Sequence, residues 1–336
     1  MKLGLSLGYA PPGTNPADLL PLVQEAERLG FDSVWVAEAW GTDAVSVLGW
    51  LAARTERIGL GSAVMQIPGR TPANTAMTAA TLDLLSGGRF RLGLGTSGPQ
   101  VVEGWHGQPW GKPLVRTREY VEIVRRALRR ELVEHAGEHY RIPWDGPGAT
   151  GLGKPLKLML RPLRAEVPIY LAALGPRNVA LAAEIADGWL PVFVDPERFA
   201  AVFGPSLAAA RPGFEIAATV SVLVGDDVPA LRDALRPHVA LYVGGMGARG
   251  RNFYNALVRR YGWEGEAERV QELYLAGKRR EAIAAVPDGL VDAVSLVGPR
   301  ERIAERLAAW RETPVTTLVL GTVQPEALRT LAELVL

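Results

Sequence analysis

Ala26-Glu27-Arg28-Leu29-Gly30-Phe31-Asp32-Ser33-Val34-Trp35-Val36-Ala37-Glu38 holds a helix end, a glycine stop, an apolar strand and a carboxylate in one short run. Upstream, Asn15 suits the N-cap and Pro16 the first helical position. Gly30 supplies the left-handed stop. Residues 33–37 then read as a strand. The unit recurs. Residues 2–9, 58–64 and 90–95 are further strands, with helices over 43–54, from Pro72 to Gly87-Gly88, and over 116–130. The pattern resumes with strands at 168–173, 188–194, 216–224 and 315–321 and a helix at 177–186. Strand and helix alternating about every 30 residues predict a parallel sheet with crossover helices. Eight such strands predict an α/β fold of the (β/α)₈-barrel type; an open doubly wound sheet usually has fewer. The expected organisation is one barrel domain over 1–336, with insertions at about 96–115, 134–166 and 245–290 at the C-terminal face, where barrel enzymes build their sites.

Composition bounds the function. The chain has 336 residues, 48% hydrophobic and 22% charged, with a formal net charge of +1, so no global field draws nucleic acid or a membrane surface. Arg125-Arg126 and Arg129-Arg130 read as a solvated helix face. There is no cysteine, which excludes disulfides, thiolate metal sites and thiol nucleophiles. His135 and His139 have the spacing of two ligands on one helical turn, but Gly137 lies between them and no Glu adjoins His135, so no metal site is expected. The N-terminus runs directly into a strand-like pattern without a secretory signal, and no apolar run is long enough to span a membrane. A cytoplasmic location is expected. Basic residues are mostly Arg, with Lys at 2, 112, 154, 157 and 278, a bias in keeping with a GC-rich genome.

Several motifs point to chemistry at strand ends. Gly93-Leu-Gly95-Thr-Ser-Gly98 matches a dinucleotide fingerprint, but Pro99 and a Gly- and Trp-rich loop follow in place of an immediate helix, so a Rossmann site is not expected. Glycines there, and in Gly61-Ser62-Ala63-Val64-Met65, allow a ring or phosphate to approach the backbone, or belong to a plain barrel strand. Leu174-Gly175-Pro176-Arg177-Asn178 leads from strand to helix. Its free N–H groups and the helix dipole suit a phosphate, with Arg177 adding charge; an ordinary βα turn reads the same way. Glu38 ends a strand and points toward the mouth, where its pKa is expected to rise and let it move a proton; a helix cap or salt bridge is the alternative. In Val102-Glu103-Gly104-Trp105-His106-Gly107, His106 is a candidate proton donor or a structural hydrogen-bonder, and Trp105 a candidate pocket wall.

Together these segments resemble the luciferase-like monooxygenase superfamily along nearly the whole chain. Within it, they resemble the coenzyme F420-dependent oxidoreductases related to methylenetetrahydromethanopterin reductase and F420-dependent glucose-6-phosphate dehydrogenase. The similar stretches are 26–38, Gly59-Leu-Gly-Ser-Ala-Val, Gly87-Gly-Arg-Phe-Arg-Leu-Gly-Leu-Gly, and Gly175-Pro-Arg-Asn-Val-Ala-Leu-Ala-Ala-Glu-Ile-Ala-Asp-Gly-Trp. The resemblance implies that the turn Gly175, Pro176, Arg177 and Asn178 holds the deazaflavin phosphate. It implies a non-prolyl cis peptide at Ala63-Val64 behind the ring, and Thr96 with Ser97 near the phosphate side chain. Similar sugar-phosphate dehydrogenases carry an Asp-His pair after strand two; here Glu38-Ala39 stands there, and Ser97-Gly98-Pro99 stands where they have an acidic residue. Sugar-phosphate oxidation is therefore not expected, and a reductase is.

The functional expectation is hydride transfer between coenzyme F420 and a small, partly apolar substrate, with Glu38 and His106 as catalytic candidates. The alternative is a monooxygenase using reduced FMN and oxygen, and a degenerate cofactor-binding barrel is a third class. Loops 40–43, 66–72, 97–115 and 245–290 are the expected pocket walls. A homodimer or higher oligomer is expected from the resemblance and from the apolar helix Ala73 to Leu85.

Overall fold

A computed structural model describes residues 1–9 and 13–336. Its strands are β1 (Lys2–Ser6), β2 (Ser33–Val36), β3 (Gly59–Ser62), β4 (Met65–Gln66), β5 (Phe90–Gly95), β6 (His135–Ala136), β7 (Arg141–Ile142), β8 (Ile169–Leu171), β9 (Gly188–Trp189), β10 (Glu215–Val224), β11 (Ser295–Gly298) and β12 (Thr317–Gly321). Going round the sheet, β12, β1, β2, β3, β5, β8, β9 and β10 follow one another, and β10 pairs β12 again. All these pairings are parallel, so the sheet closes into an eight-position barrel wrapped by helices, as the sequence predicts. β4 continues the β3 position after a bulge. Among the described residues no helix is long and apolar enough to cross a membrane.

Several strands differ from expectation: β1 ends at Ser6 and β3 at Ser62, short of the expected 9 and 64. The 188–194 strand keeps a ladder only at Gly188–Trp189, with one further bridge at Val192. Pro191 has no N–H to donate, and Phe193 turns to φ +54. β11, a strand the sequence reading does not contain, pairs with the upper end of β10 at Ser221–Val224. Four residues are too few to show a period.

Insertions also take their own paths. β6 and β7 form a hairpin along the helix Pro113–Leu128, where the buried Glu119 carboxylate accepts from the N–H groups of Glu138, His139 and Tyr140 at 2.8, 3.0 and 3.0 Å. His135 and His139 therefore sit on a hairpin, not on one helical turn. The arginines of that helix are not a simple solvated face. Arg125 binds Asp187 at 2.9 Å, Arg126 binds Glu134 O at 2.6 Å and Arg130 binds Leu158 O at 3.2 Å, tying the insertion down.

The barrel interior is filled by Trp35, Tyr170, Leu190, Ala217 and Val319. Trp35 and Tyr170 meet edge to face at 5.1 Å. Room for them comes from glycines: a Cβ on Gly61 would lie 2.2 Å from the Trp35 ring, and one on Gly188 would lie 2.4 Å from Tyr170. The expectation that Gly61 admits a cofactor ring is thus corrected; it admits an indole. Below this layer, Lys2 pairs with Glu215 at 3.0 Å, Arg91 with Asp32 at 2.5 Å, and the Tyr170 hydroxyl donates to Glu215. Burial pushes the Asp32 and Glu215 carboxyls up, but these bonds outweigh it and hold both below the usual carboxylate range. The N-terminal end of the barrel thus carries paired charge, and Asp32, Arg91, Tyr170 and Glu215 line a pocket there.

Gly61→Ala should cost about 1–3 kcal/mol of stability, the usual penalty for overpacking a core. Gly104→Ala, with nothing within 4 Å of its Cβ position, should cost nothing measurable. Urea unfolding followed by circular dichroism compares the two.

Candidate active site

The floor of the mouth begins where β3 leaves β5. Leu60 pairs with Phe90 and Gly61 with Arg91, but Met65 pairs with Leu94, so the β3–β4 position carries one extra residue. Ser62 fills the gap in the ladder: its Oγ accepts from Gly93 N at 2.9 Å and donates to Gly93 O at 2.8 Å. The peptide Ala63–Val64 is cis, as the resemblance implies. Val64 packs over Gly95, where a Cβ would lie 2.5 Å from its Cγ2, and a Cβ on Gly93 would lie 1.8 Å from Ser62 O. Gly93 and Gly95 thus make space for the bulge itself, which corrects their reading as points of ligand approach. Ala63, Val64 and Ala172, half-buried, form an apolar platform over the interior cluster.

Beside the platform, Thr96 and Ser97 end β5, with Ser97 at φ +59. The six-residue helix Pro99–Gly104 starts directly after Gly98, where the sequence predicts a loop. β8 is the next strand, and Ala172 N bonds Leu94 O at 2.9 Å, so the Gly175 turn stands next to Thr96–Ser97. Gly175 caps the helix Pro176–Ile185. The carbonyls leading into it are all occupied: Asn178 Nδ2 reaches Ala172 O at 3.5 Å, Trp189 Nε1 Ala173 O at 2.9 Å, and Arg260 Leu174 O at 2.6 Å. What remains is donor-rich. The N–H groups of Gly175 and Arg177 have no partner among the described residues, nor has the exposed Arg177 side chain. Open space surrounds the Gly175 Cβ position. A helix start with its carbonyls engaged and two cations beside it favours an anion. Arg260, braced over the Phe203 ring, is a residue the sequence reading does not find, because it comes from a helix 85 positions away from Gly175.

Glu38 is where β2 ends, but it is engaged. Its carboxylate makes a two-pronged pair with Arg70 at 2.5 and 2.8 Å and accepts from Ala44 N at 3.0 Å and Gln66 N at 3.3 Å. Burial pushes its pKa up, yet the Arg70 bonds and backbone donors outweigh it, and the net shift is downward. The expected rise is therefore reversed. Glu38 is an anion at neutral pH with no proton to give, and the salt-bridge and cap reading describes its contacts. Gln66 extends the chain: its Nε2 donates to Ala39 O at 2.7 Å, and its Oε1 faces His106 Nε2 at 3.2 Å. With Oε1 as acceptor, His106 carries hydrogen on Nε2 and donates it to Gln66. The imidazole packs over Gly69. Glu38, Gln66 and His106 thus form a hydrogen-bonded line from β2 to the loop after β5, and Trp105 beside them is 65% exposed. Neither Arg70 nor Gln66 stands out in the sequence.

Glu38→Gln should destabilise the fold by about 3 kcal/mol, because it leaves the half-buried Arg70 charge without its partner. A depressed folded pKa means the pair's contribution is present above the unfolded carboxyl value and is lost as pH falls through the folded one. The stability gap between wild type and variant should therefore be full at pH 7 and shrink on acidification below about pH 4.5. Thermal melts across pH read this gap; a constant gap down to pH 3 would show that Glu38 titrates normally.

The luciferase-like monooxygenase family matches residues 1–317 of this chain. A Mycobacterium tuberculosis protein named as a coenzyme F420-dependent oxidoreductase is 49% identical over 100% of this chain and 99% of its own length. The 5,10-methylenetetrahydromethanopterin reductase of Archaeoglobus fulgidus is 31% identical, covering 89% of this chain and 88% of its own. Among solved structures, the coenzyme F420-dependent tetrahydromethanopterin reductase of Methanopyrus kandleri superposes with a TM-score of 0.78 at 23% identity, over 99% of this chain and 97% of that one, a likeness of fold. A bulged third strand under an apolar platform, a donor-rich turn after the fifth barrel position and a whole-length match make this chain a member of the luciferase-like monooxygenase family.

Proposed function

We propose that the protein is a coenzyme F420-dependent reductase that acts on a small, partly apolar organic substrate. The observation that carries this is the Gly175–Asn178 turn, stripped of free carbonyls and flanked by Arg177 and Arg260, beside a flat apolar platform. The names of the relatives point the same way. A phosphate on a flat deazaflavin fits this pairing of anion site and platform. Gly175, Arg177 and Asn178 would hold the phosphate after Pro176 sets the helix start. Thr96 and Ser97 would face its side chain, and Ala63 and Val64 would support the ring. When bound, the deazaflavin supplies a hydride from a carbon of its central ring. Glu38 and His106 act by position in this reading, fixing the loops after β4 and β5. Reduction is favoured over alcohol oxidation because Ala39 offers no base and Glu38 is committed to Arg70.

We further propose that the single barrel domain works as a homodimer. Met77 and Leu84 are exposed along one stripe of the helix Pro72–Leu85, with Leu163 nearby against Gly88. Light scattering at micromolar concentration should give twice the chain mass, and Met77→Glu should lower it toward one; a wild-type monomer refutes the dimer.

Titration with coenzyme F420 and with FMN tests the cofactor. F420 should bind more tightly, and FMN binding more tightly would favour the monooxygenase. Arg177→Ala should weaken F420 binding by about 1–3 kcal/mol, the range for charge-assisted bonds. Gly175→Val should weaken it further while costing no more than about 1 kcal/mol of stability for the poorer helix cap, since no atom lies within 4 Å of its Cβ position and its φ is −75°. Unaltered affinity in both variants rejects the phosphate site.

A further inference from the structure

Across the mouth from the platform lies a group of rings that the preceding reading does not use. Phe193, just above β9, stacks on His238 with centroids 5.5 Å apart and planes 8° apart. Tyr242 lies 4.6 Å from His238 and 4.6 Å from Tyr254, and Phe193 also meets Tyr242 and Tyr254 at 5.2 and 5.7 Å. Tyr9, after β1, is hydrogen-bonded to Tyr242. The group therefore reaches from β9 to β1 above β10 and β12, and β3 with its platform stands on the opposite wall.

Three features separate this group from ordinary packing. Phe193 adopts φ +54, a left-handed conformation that a large L-residue rarely takes, held there by the Tyr261 hydroxyl donating to Phe193 O at 3.0 Å. Tyr242 sits in the π-helical turn Leu241–Gly245, an arrangement common at functional sites. That turn is clamped by side-chain amides: Asn252 donates to Tyr242 O at 2.8 Å and Asn255 to Val243 O at 3.1 Å. Tyr274 closes it from behind, over Gly244 and Gly245, where any side chain would clash. Finally, the ring nitrogens of the exposed His238 have no hydrogen-bond partner among the described residues. His238 and Tyr9 are open to solvent at the edge of the group. The cations on the His238 helix are turned away: Arg232 binds Asp292 and Asp288, and Arg236 binds Asp288 and Val286 O. The group is thus aromatic, without a charged member, and supplied with one unused ring donor.

We propose that Tyr9, Phe193, His238, Tyr242 and Tyr254 form the substrate wall, taking a flat, uncharged, conjugated carbonyl compound whose oxygen accepts a hydrogen bond from His238. This rests on the reductase reading, which needs a substrate facing the platform. Rings at this density select flat π-systems. The absence of a paired charge in the group selects a neutral ligand, and an unpartnered donor selects an acceptor oxygen. Desolvation lowers the His238 pKa, so the ring is neutral at pH 7 and keeps a single N–H to donate.

The experiment uses 1,4-naphthoquinone as the carbonyl probe and naphthalene as a flat probe without an acceptor, in calorimetric titrations of the full-length protein. The chain has no cysteine to trap the quinone covalently. Wild type should bind naphthoquinone about tenfold more tightly than naphthalene, the worth of one hydrogen bond. His238→Phe keeps the stack on Phe193 and should remove that preference, and His238→Gln should restore part of it. Tyr242→Leu should weaken both probes. Wild-type protein that binds neither probe, or naphthoquinone affinity unchanged in both His238→Phe and Tyr242→Leu with unaltered circular dichroism, overturns the proposal. Coenzyme F420 affinity is measured on the same samples. If F420 fails to bind while the probes follow the ring variants, the substrate wall stands and the cofactor reading falls; if F420 binds and the probes ignore the variants, the substrate wall falls alone.

Discussion

Everything at the mouth depends on the absence of a side chain at Gly93. With Ser62 O at 1.8 Å from where a Cβ would be, no other residue can stand there without moving β3. Close approach alone would orphan the Gly93 amide and carbonyl inside the barrel wall. Ser62 Oγ prevents that by serving both, so the ladder breaks at no cost in unsatisfied groups. The break lets one extra residue enter, turns Ala63 and Val64 onto the top of the core, and shifts Gln66 to where it meets both Glu38 and His106. A single small residue on one strand and a hydroxyl on its neighbour thus set the platform and the polar line beside it.

The mouth divides into halves of different chemistry. β3, β5 and β8 contribute small residues and backbone donors: Ala63, Val64, Thr96, Ser97 and the Gly175 turn. β9, β1 and the insertion after β10 contribute rings. The first half is built by the barrel strands and suits a flat anion-bearing group. The second hangs on a helical insertion braced by Asn252, Asn255 and Tyr274. In a barrel, substrate choice varies with its loops while the strand ends stay fixed. Here the two halves differ in residue type.

Glu38 shows how a position at the mouth differs from a role there. Its location at the end of β2 is what a catalytic carboxylate would have. Its contacts are those of a brace: two bonds to Arg70, one to the start of the Ala44–Ala52 helix and one to Gln66. Tyr120 then reaches Arg70 O from the neighbouring helix at 3.2 Å. A group with every lone pair engaged is anionic and stationary, and its effect on chemistry passes through the loop it holds.

The barrel was legible because its evidence is local. Alternating apolar strands, glycine stops such as Gly30 and proline starts such as Pro16 and Pro176 each act within a few residues, so their spacing along the chain is their spacing in the fold. The Gly175–Asn178 turn was legible for the same reason: strand, turn and helix are consecutive. The remaining features bring together residues distant in sequence. Gly61 and Gly93 look alike in the chain, yet one answers to Trp35 and the other to Ser62. Arg70 meets Glu38, Arg260 meets Leu174, and His238 meets Phe193, each across tens of residues and each from a segment without its own signature. The sequence by itself determined the alternation of strand and helix, the closed parallel barrel and the strand–turn–helix order at Gly175. The partners of Glu38, the purpose of each glycine and the ring-lined wall were decided by tertiary structure alone, because a side chain's protonation, packing and partner depend on what the closed barrel places beside it.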